Sequence, residues 1–234
     1  MSTFQRLKAV AVNIDGVMLT DTFSPVIHRF ITSRGGEYTA ETERSIFSQR
    51  RAEAGWAMAR SVPQEMTGPE ALETYFRERD EYLAENPVEL SPGAPELVGR
   101  MRALGLRTVC YGGLGADHFR ASLGADAELF DDPGYICTND FRPGVAEIPG
   151  ILGLTQGEVV FIDDVAKVGE VARTEGAPFV GYPSTFPHSH QAQLMREAGV
   201  EHLVTHLDGV DEALLSGIDE DVAAGRLWAT VPVN

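Results

Sequence analysis

The sequence KAVAVNIDGV occupies residues 8–17 and decides the fold of this chain of 234 residues. Its first half is an apolar run without alternation, which is typical of a strand buried on both faces of a parallel sheet. Ligands of open parallel sheets bind outside the carboxyl ends of the strands, and Asn13 and Asp15 stand at such an end. Their spacing of two directs both side chains to one face. Gly16 then allows the backbone to turn out of the sheet.

Bulk composition limits the classes of partner. The chain is long enough for one large domain, or for a core with a small insertion. Its formal net charge is -16 and its pI is about 4.7. Such a surface repels phosphate backbones and anionic lipids, so we expect neither nucleic acid nor membrane as a partner.

The cysteines and the N-terminal sequence favour a cytoplasmic protein. Cys110 and Cys137 both lie in apolar, strand-like runs, which indicates reduced core thiols instead of a disulfide framework. No apolar run approaches the roughly 20 residues that a membrane span needs. The opening residues, MSTFQRLKAV, lack the apolar centre of a secretory signal.

Residues 20–90 differ from the rest of the chain because they contain no good buried strand. Their helical spacing predicts helices over 25–31, 39–60 and 69–84. From residue 91 on, strands and helices alternate, which predicts an α/β fold with a doubly wound parallel sheet. The later predicted elements are strands at 106–111, 135–137, 158–162 and 178–181, a helix over 143–154, an edge strand at 202–204, and a helix capped by Asp208. The residues from Gly217 on are acidic and then, over 227–233, apolar, and they fit a packed tail or an oligomer contact. Homo-oligomers are left open.

The run ending in Asn13, Ile14, Asp15 and Gly16 resembles the first motif of the haloacid-dehalogenase-like (HAD) superfamily, whose members are mostly magnesium-dependent phosphohydrolases. The nucleophilic aspartate of that motif is replaced by Asn13. The resemblance extends in the right order over nearly the whole chain. It implies a Rossmann-like α/β core formed by residues 1–19 and 91–234. It also implies a small helical cap domain, residues 20–90, between the first and second motifs.

The other three motifs of the family are only partly present. The second motif supplies a Ser or Thr hydroxyl for the phosphoryl group, and its place falls on Gly112, after Tyr111. The third motif usually reads Lys-Pro, and the matching pair is Arg142-Pro143. The fourth motif, an apolar strand that ends in paired acids, is intact as Asp163-Asp164.

The resemblance assigns roles to these positions. Asp15 is expected as general acid and base, with Asn13 and Arg142 also in the catalytic group. Arg142 keeps a positive charge in a planar fork that suits an oxyanion, and it is expected to bind substrate together with Gly112 and Gly113. Mg²⁺ prefers oxygen ligands, and the implied ligands are the Asn13 side-chain oxygen, the Asp15 backbone carbonyl, Asp164 and Asp163.

Several functions agree with this degenerate site. One is a divergent hydrolase-like enzyme that acts on a small anionic molecule, phosphorylated or carboxylated, without an aspartyl nucleophile, since an amide cannot form the covalent intermediate. Another is a non-catalytic relative that binds an anion or a protein partner. A third is a phosphatase trapped by replacement of Asp with Asn13.

Alternatives also stay open for single residues. Lys167 either substitutes for the missing lysine or lies on an exposed helix face. The loop from Gly112 to Gly115 either cradles an anion at a helix N-terminus or forms a tight turn. His188 and His190 either bind a metal or belong to the surface. Arg50-Arg51 either reaches a substrate anion or is solvated.

Overall fold

The computed structural model describes residues 4–229, which form a single parallel sheet with helices on both faces. The sheet has five strands in the order β3-β2-β1-β4-β5. The strands are β1 (Ala9–Asn13), β2 (Arg107–Gly112), β3 (Tyr135–Cys137), β4 (Val159–Asp163) and β5 (Phe179–Gly181). All neighbouring strands run parallel. This confirms the predicted α/β class and places β1 at the centre of the sheet.

Ten α-helices surround the sheet in the described part of the chain. Four of them lie between β1 and β2 and precede a fifth that leads into β2. They are α1 (Phe23–Thr32), α2 (Ala40–Ile46), α3 (Arg51–Arg60), α4 (Gly68–Glu85), α5 (Ala94–Ala103), α6 (Ala116–Leu123), α7 (Ile148–Leu152), α8 (Ala166–Glu175), α9 (Gln191–Glu197) and α10 (Glu212–Ala223).

The alternation along β1 divides the core into two layers. Ala9 and Ala11 face a cluster that includes α1 to α4 and α8, whereas Val10 and Val12 face a cluster that includes α5 and α10. Asn13 has the parity of Ala9 and Ala11, so its side chain emerges on the side of the inserted helices. The strand ends and the insertion therefore meet on one side of the sheet.

The inserted helices leave and re-enter the core at adjacent points. Leu19 bridges Leu90, and the Thr20 amide donates to the Glu89 carbonyl at 2.9 Å. The helices nevertheless share one hydrophobic cluster with the sheet. The assignment of residues 20–90 to a separate cap domain therefore stays a prediction. Helices α1 to α4 are the cap helices.

The prediction of one helix over residues 39–60 is wrong. The chain forms α2 and α3 instead, and the break between them places Ser48 at a positive φ of 52°. A positive φ is unusual for a residue other than glycine. The kink matters for the site because it directs the Ser48 hydroxyl to Arg142, which donates to it at 3.0 Å.

Three predictions in the C-terminal half also need correction. The helix expected over residues 143–154 is limited to α7, since the Gly144 and Pro149 region favours turns. The expected edge strand at 202–204 amounts to one isolated bridge between Gly181 and Leu203. The last helix is capped by Asp211, which accepts from the Leu214 amide, and Asp208 lies in a preceding 3-10 turn.

The predicted burial of both cysteines is correct only for Cys110, because Cys137 is exposed. Within the tail, the Trp228 indole donates to the Ala177 carbonyl at 2.9 Å, and residues 230–233 of the predicted tail lie outside the described residues. Within residues 4–229, we find no helix with the length and apolar character that a membrane crossing requires.

Candidate functional site

Asn13 connects the ends of β1 and β4. Its side-chain nitrogen donates to the Asp15 backbone carbonyl at 2.7 Å and to Asp164 Oδ1 at 2.8 Å. The Asp15 carbonyl can only accept a hydrogen bond, so the nitrogen and not the oxygen of the amide faces this pair. Asn13 is 6% exposed. The amide therefore satisfies two buried acceptors that would otherwise lose hydrogen bonds on folding.

Gly16 makes the approach of Asp164 sterically feasible. Its φ is +94°, and a Cβ built there would lie 2.2 Å from Asp164 Oδ2. No side chain fits in that space without moving the carboxylate. The glycine that follows Asp15 thus serves both the turn and the position of Asp164.

Asp163, the other member of the acidic pair, faces the core under the sheet end. It accepts from the Tyr111 hydroxyl at 2.5 Å and from the Val165 amide at 2.8 Å. Burial raises the pKa of the Asp163 carboxyl, and burial followed by repulsion from Asp163 raises the pKa of Asp164. Asp163 therefore has a structural hydrogen-bonding role and does not line the cavity described below.

Asp15 is paired with a histidine that the sequence did not suggest. Asp15 Oδ1 lies 2.8 Å from His118 Nε2, and both side chains are less than one-fifth exposed. His118 belongs to the first turn of α6, which starts after the glycine loop of β2. Its other ring nitrogen is 3.3 Å from the Ser122 hydroxyl. The histidine fixes the orientation of the Asp15 carboxylate at the cavity wall.

Arg142 is a cation without a carboxylate partner in the described part of the chain. Its guanidinium donates to Thr138 Oγ1 at 3.2 Å and to Ser48 Oγ at 3.0 Å, both neutral acceptors. None of the ion pairs among residues 4–229 includes it. A guanidinium carries five N–H donors, so this one retains donors and charge for a ligand.

These groups surround the polar end of a cavity of about 140 Å³ between the strand ends and the cap helices. Asn13, Asp15, Asp21, Ser48, Gly113, Asn139, Arg142 and Asp164 line that end. Asp21 is already satisfied by the Phe23 and Ser24 amides and by Ser184. The rest of the lining is largely apolar and comes mostly from residues 23–76, but it includes Gln49 and a second cation, Arg51. Arg142 is less exposed than Arg51, so it is the cation of this cavity better suited to bind an anion away from water.

The glycines of the second motif have different places. Gly113 lines the cavity, and a Cβ there would lie 3.2 Å from an Arg142 terminal nitrogen. Gly112 is outside the cavity lining, and a Cβ there would lie 2.5 Å from the Ile14 side chain and 3.0 Å from the Tyr135 hydroxyl. The hydroxyl residue of the family motif has no room at this position.

A divalent cation does not fit the arrangement of the predicted ligands. Mg²⁺ requires oxygen ligands, yet the Asn13 NH₂ group lies between the Asp15 carbonyl and Asp164 and donates to both. The amide would have to rotate and lose both hydrogen bonds to present its oxygen. Asp163 already accepts hydrogen bonds from the Tyr111 hydroxyl and the Val165 amide. Over residues 4–229, no three His, Cys, Asp or Glu side chains form a metal-binding group.

The structure also locates the remaining candidates. Lys167 lies on α8, where its ammonium is 3.5 Å from Glu170, and it does not line the cavity. His188 stacks on His28 with ring centroids 4.3 Å apart, outside the cavity. Of the pair Arg50-Arg51, Arg51 lines the cavity and Arg50 does not. Ser48, His118, Thr138 and Asn139 were missed because no local pattern marks them.

Several solved structures have a similar fold. A HAD family hydrolase from Deinococcus radiodurans R1, with bound phosphate and sodium, is 19% identical over 91% of this chain and 97% of that chain, with a TM-score of 0.61. A putative beta-phosphoglucomutase from Bacteroides vulgatus is 16% identical over 94% and 91%, with a TM-score of 0.67. A phosphonoacetaldehyde hydrolase like protein from Oleispira antarctica is 15% identical over 96% and 97%, with a TM-score of 0.68.

No model of a known protein family matches the sequence, and no curated protein matches it. At identities below one-fifth, the likeness to the solved structures shows the fold and nothing finer. It confirms the HAD-like architecture that the first and fourth motifs predict.

Proposed function

We propose that this chain, which has the HAD-like fold, is an enzyme that binds a small anionic molecule at Arg142 and acts on it through acid–base chemistry at Asp15. The Arg142 guanidinium, which lines the cavity and has no carboxylate partner among residues 4–229, carries this proposal. The charge of Arg142 acts on Asp163 from a distance, but no carboxylate of residues 4–229 pairs with it directly, so its donors are available to a ligand. Phosphorylated and carboxylated molecules both have the planar oxygen pairs that a guanidinium binds.

The proposed chemistry differs from the reaction of the family in its first step. Asn13 is a neutral amide and cannot attack phosphorus to form a covalent intermediate. Its amide instead holds Asp164 and the Asp15 backbone, so we assign Asn13 a positioning role. Water is then the attacking group, and Asp15 accepts its proton. His118 keeps the Asp15 carboxylate in place at 2.8 Å.

Replacing Arg142 with glutamine should weaken anion binding by about ten- to a hundredfold. The change removes charge-assisted hydrogen bonds, each worth about 1.5–3 kcal/mol, but keeps a polar side chain. Calorimetric titration with phenyl phosphate and with phenylacetate measures the affinities. Arg120→Gln is the matched control, because Arg120 is exposed on α6, pairs with Asp117 and does not line the cavity. Equal affinities in Arg142→Gln and the native chain would contradict the assignment of Arg142.

Replacing Asp15 with asparagine should abolish turnover and leave binding nearly intact. Loss of a general acid or base lowers rates by about 10²–10⁴-fold. The assay is release of 4-nitrophenol from 4-nitrophenyl phosphate in the presence of a chelator. In this hydrolysis water bonds to phosphorus, its proton passes to Asp15, and 4-nitrophenolate leaves. Turnover that survives in Asp15→Asn would exclude Asp15 as the acid–base group.

A non-catalytic anion-binding protein is the second candidate, and the replacement of the nucleophile by Asn13 favours it. The same two assays separate the candidates. Tight binding that depends on Arg142, with no turnover of 4-nitrophenyl phosphate in the native chain, would favour the binding protein.

A further inference from the structure

We propose that the cavity selects an anion with an apolar body about the size of one aromatic ring, and that the Tyr75 hydroxyl donates to an acceptor on this body. The inference rests on the proposed function, because it takes the anionic group to be bound at Arg142. It concerns the other end of the same cavity, where the cap helices supply the walls.

Most of the remaining cavity walls are hydrocarbon, with Gln49 and Arg51, whose guanidinium lies 5.3 Å from the Phe76 ring centroid, as polar exceptions. Phe23 and Ile27 come from α1, Met58 from α3, and Leu72 and Phe76 from α4. Hydroxyl groups of a polar ligand would lose hydrogen bonds to water against such walls, which makes a polyhydroxylated body unfavourable. An apolar body gains the free energy of leaving water instead.

Cavity size sets the scale of the ligand. The volume of about 140 Å³ is close to that of apolar cavities of about 150 Å³ that bind benzene. The part of a ligand that this volume encloses is therefore about one ring or one short branched chain.

Tyr75 supplies an independent observation that points to a ligand. It is 3% exposed and lines the cavity, yet its hydroxyl has no hydrogen-bond partner among residues 4–229. Burial raises the pKa of this hydroxyl, so it remains a neutral donor. Buried polar groups are normally satisfied, and a ligand acceptor would satisfy this one.

The aromatic wall is held in place before any ligand binds. Phe23 stacks on Tyr75 with centroids 6.4 Å apart, and Tyr75 meets Phe76 edge-on at 5.2 Å. Outside the cavity lining, Arg79 lies 4.3 Å from the centroid of Phe23 and donates to Thr22 at 3.0 Å. Rigid walls reduce the ordering that a ligand must cause on binding.

The test compares ligands that share an anionic group and differ in the body. Calorimetry on the Asp15→Asn variant, which is expected to bind without turnover, measures the affinities of inorganic phosphate, glucose 6-phosphate, phenyl phosphate and 4-nitrophenyl phosphate, with acetate and phenylacetate as the carboxylate series. We expect phenyl phosphate to bind at least about tenfold more tightly than inorganic phosphate and than the sugar phosphate. The ratio of the affinities for phenylacetate and acetate measures the same preference for a ring with a carboxylate head group. Comparison of the two series shows which head group binds more tightly.

Two variants locate the effect. Ala54→Gln places an amide in the apolar wall at a half-exposed helix position, and Ala52→Gln on the same helix is the control, because Ala52 is exposed and outside the cavity lining. Ala54→Gln should remove most of the preference for the ring without changing phosphate affinity. Tyr75→Phe should lower the affinity for 4-nitrophenyl phosphate several-fold and leave the affinity for phenyl phosphate unchanged.

The outcomes separate this inference from the proposed function. If phosphate, sugar phosphate and phenyl phosphate bind with equal affinity, the selection for an apolar body is wrong while Arg142 keeps its role. If none of the anions binds, the proposed function fails and the inference fails with it. If Tyr75→Phe changes the affinities for phenyl phosphate and 4-nitrophenyl phosphate by the same factor, the role proposed for the Tyr75 hydroxyl is wrong.

Discussion

The variant Asn13→Asp is expected to be unstable without a divalent cation and to be rescued by one. The change removes both hydrogen bonds from the Asn13 amide and places a second carboxylate within hydrogen-bond distance of Asp164. An uncompensated buried charge lowers the free energy of unfolding by about 3–5 kcal/mol. A cation between the two carboxylates and the Asp15 carbonyl would remove the repulsion. Thermal unfolding with chelator and with Mg²⁺ measures both effects.

The native chain should show the same unfolding temperature under both conditions, because the amide already satisfies the two acceptors. Asn139→Asp is the control for a new carboxylate in the cavity, since Asn139 also lines it but is half-exposed and does not contact Asp164. It should respond little to Mg²⁺. Stabilisation of the native chain by Mg²⁺ would mean that the Asn13 oxygen turns toward a cation, contrary to the geometry proposed for the site.

Gly16→Ala is expected to reduce the free energy of unfolding by about 3–5 kcal/mol, or to prevent folding. Two effects add: a φ of +94° is strained for alanine, and the new Cβ would lie 2.2 Å from Asp164 Oδ2 and 2.4 Å from its Cγ. The carboxylate would have to leave the Asn13 amide. Denaturant unfolding monitored by circular dichroism gives the loss of stability.

Gly134→Ala separates the two effects. Gly134 has a φ of +76°, and no atom lies within 4 Å of a Cβ built there, so this variant reports backbone strain alone. It should lose about 1 kcal/mol. Equal losses at the two positions would show that contact with Asp164 is not what requires glycine at residue 16.

The strands follow from local sequence because each is a short apolar run that ends in a turn. β1 and β4 are continuous runs of buried residues, and both end in the polar groups that were expected at the sheet edge. Helix ends were harder to predict. Residues 39–60 have helical composition throughout, yet the chain breaks at Ser48, where φ is 52°.

The candidate site was predicted where a motif marks it and missed where only the fold brings residues together. The loss of the nucleophile was evident from Asn13 alone. Its bond to Asp164 joins residues 151 positions apart, and the bond from His118 to Asp15 joins residues 103 apart. Asp163 was expected near a metal, but Tyr111, which lies on β2 on the other side of β1, donates to it and holds it in the core.

Anion binding in the absence of a divalent cation is the central claim, and one pair of titrations tests it most directly. Phenyl phosphate is titrated calorimetrically into the native chain, once with a chelator and once with Mg²⁺. If Arg142 receives the anion and the Asn13 amide takes the place of a cation, the two affinities will be equal. Binding that appears only with Mg²⁺ would contradict the account.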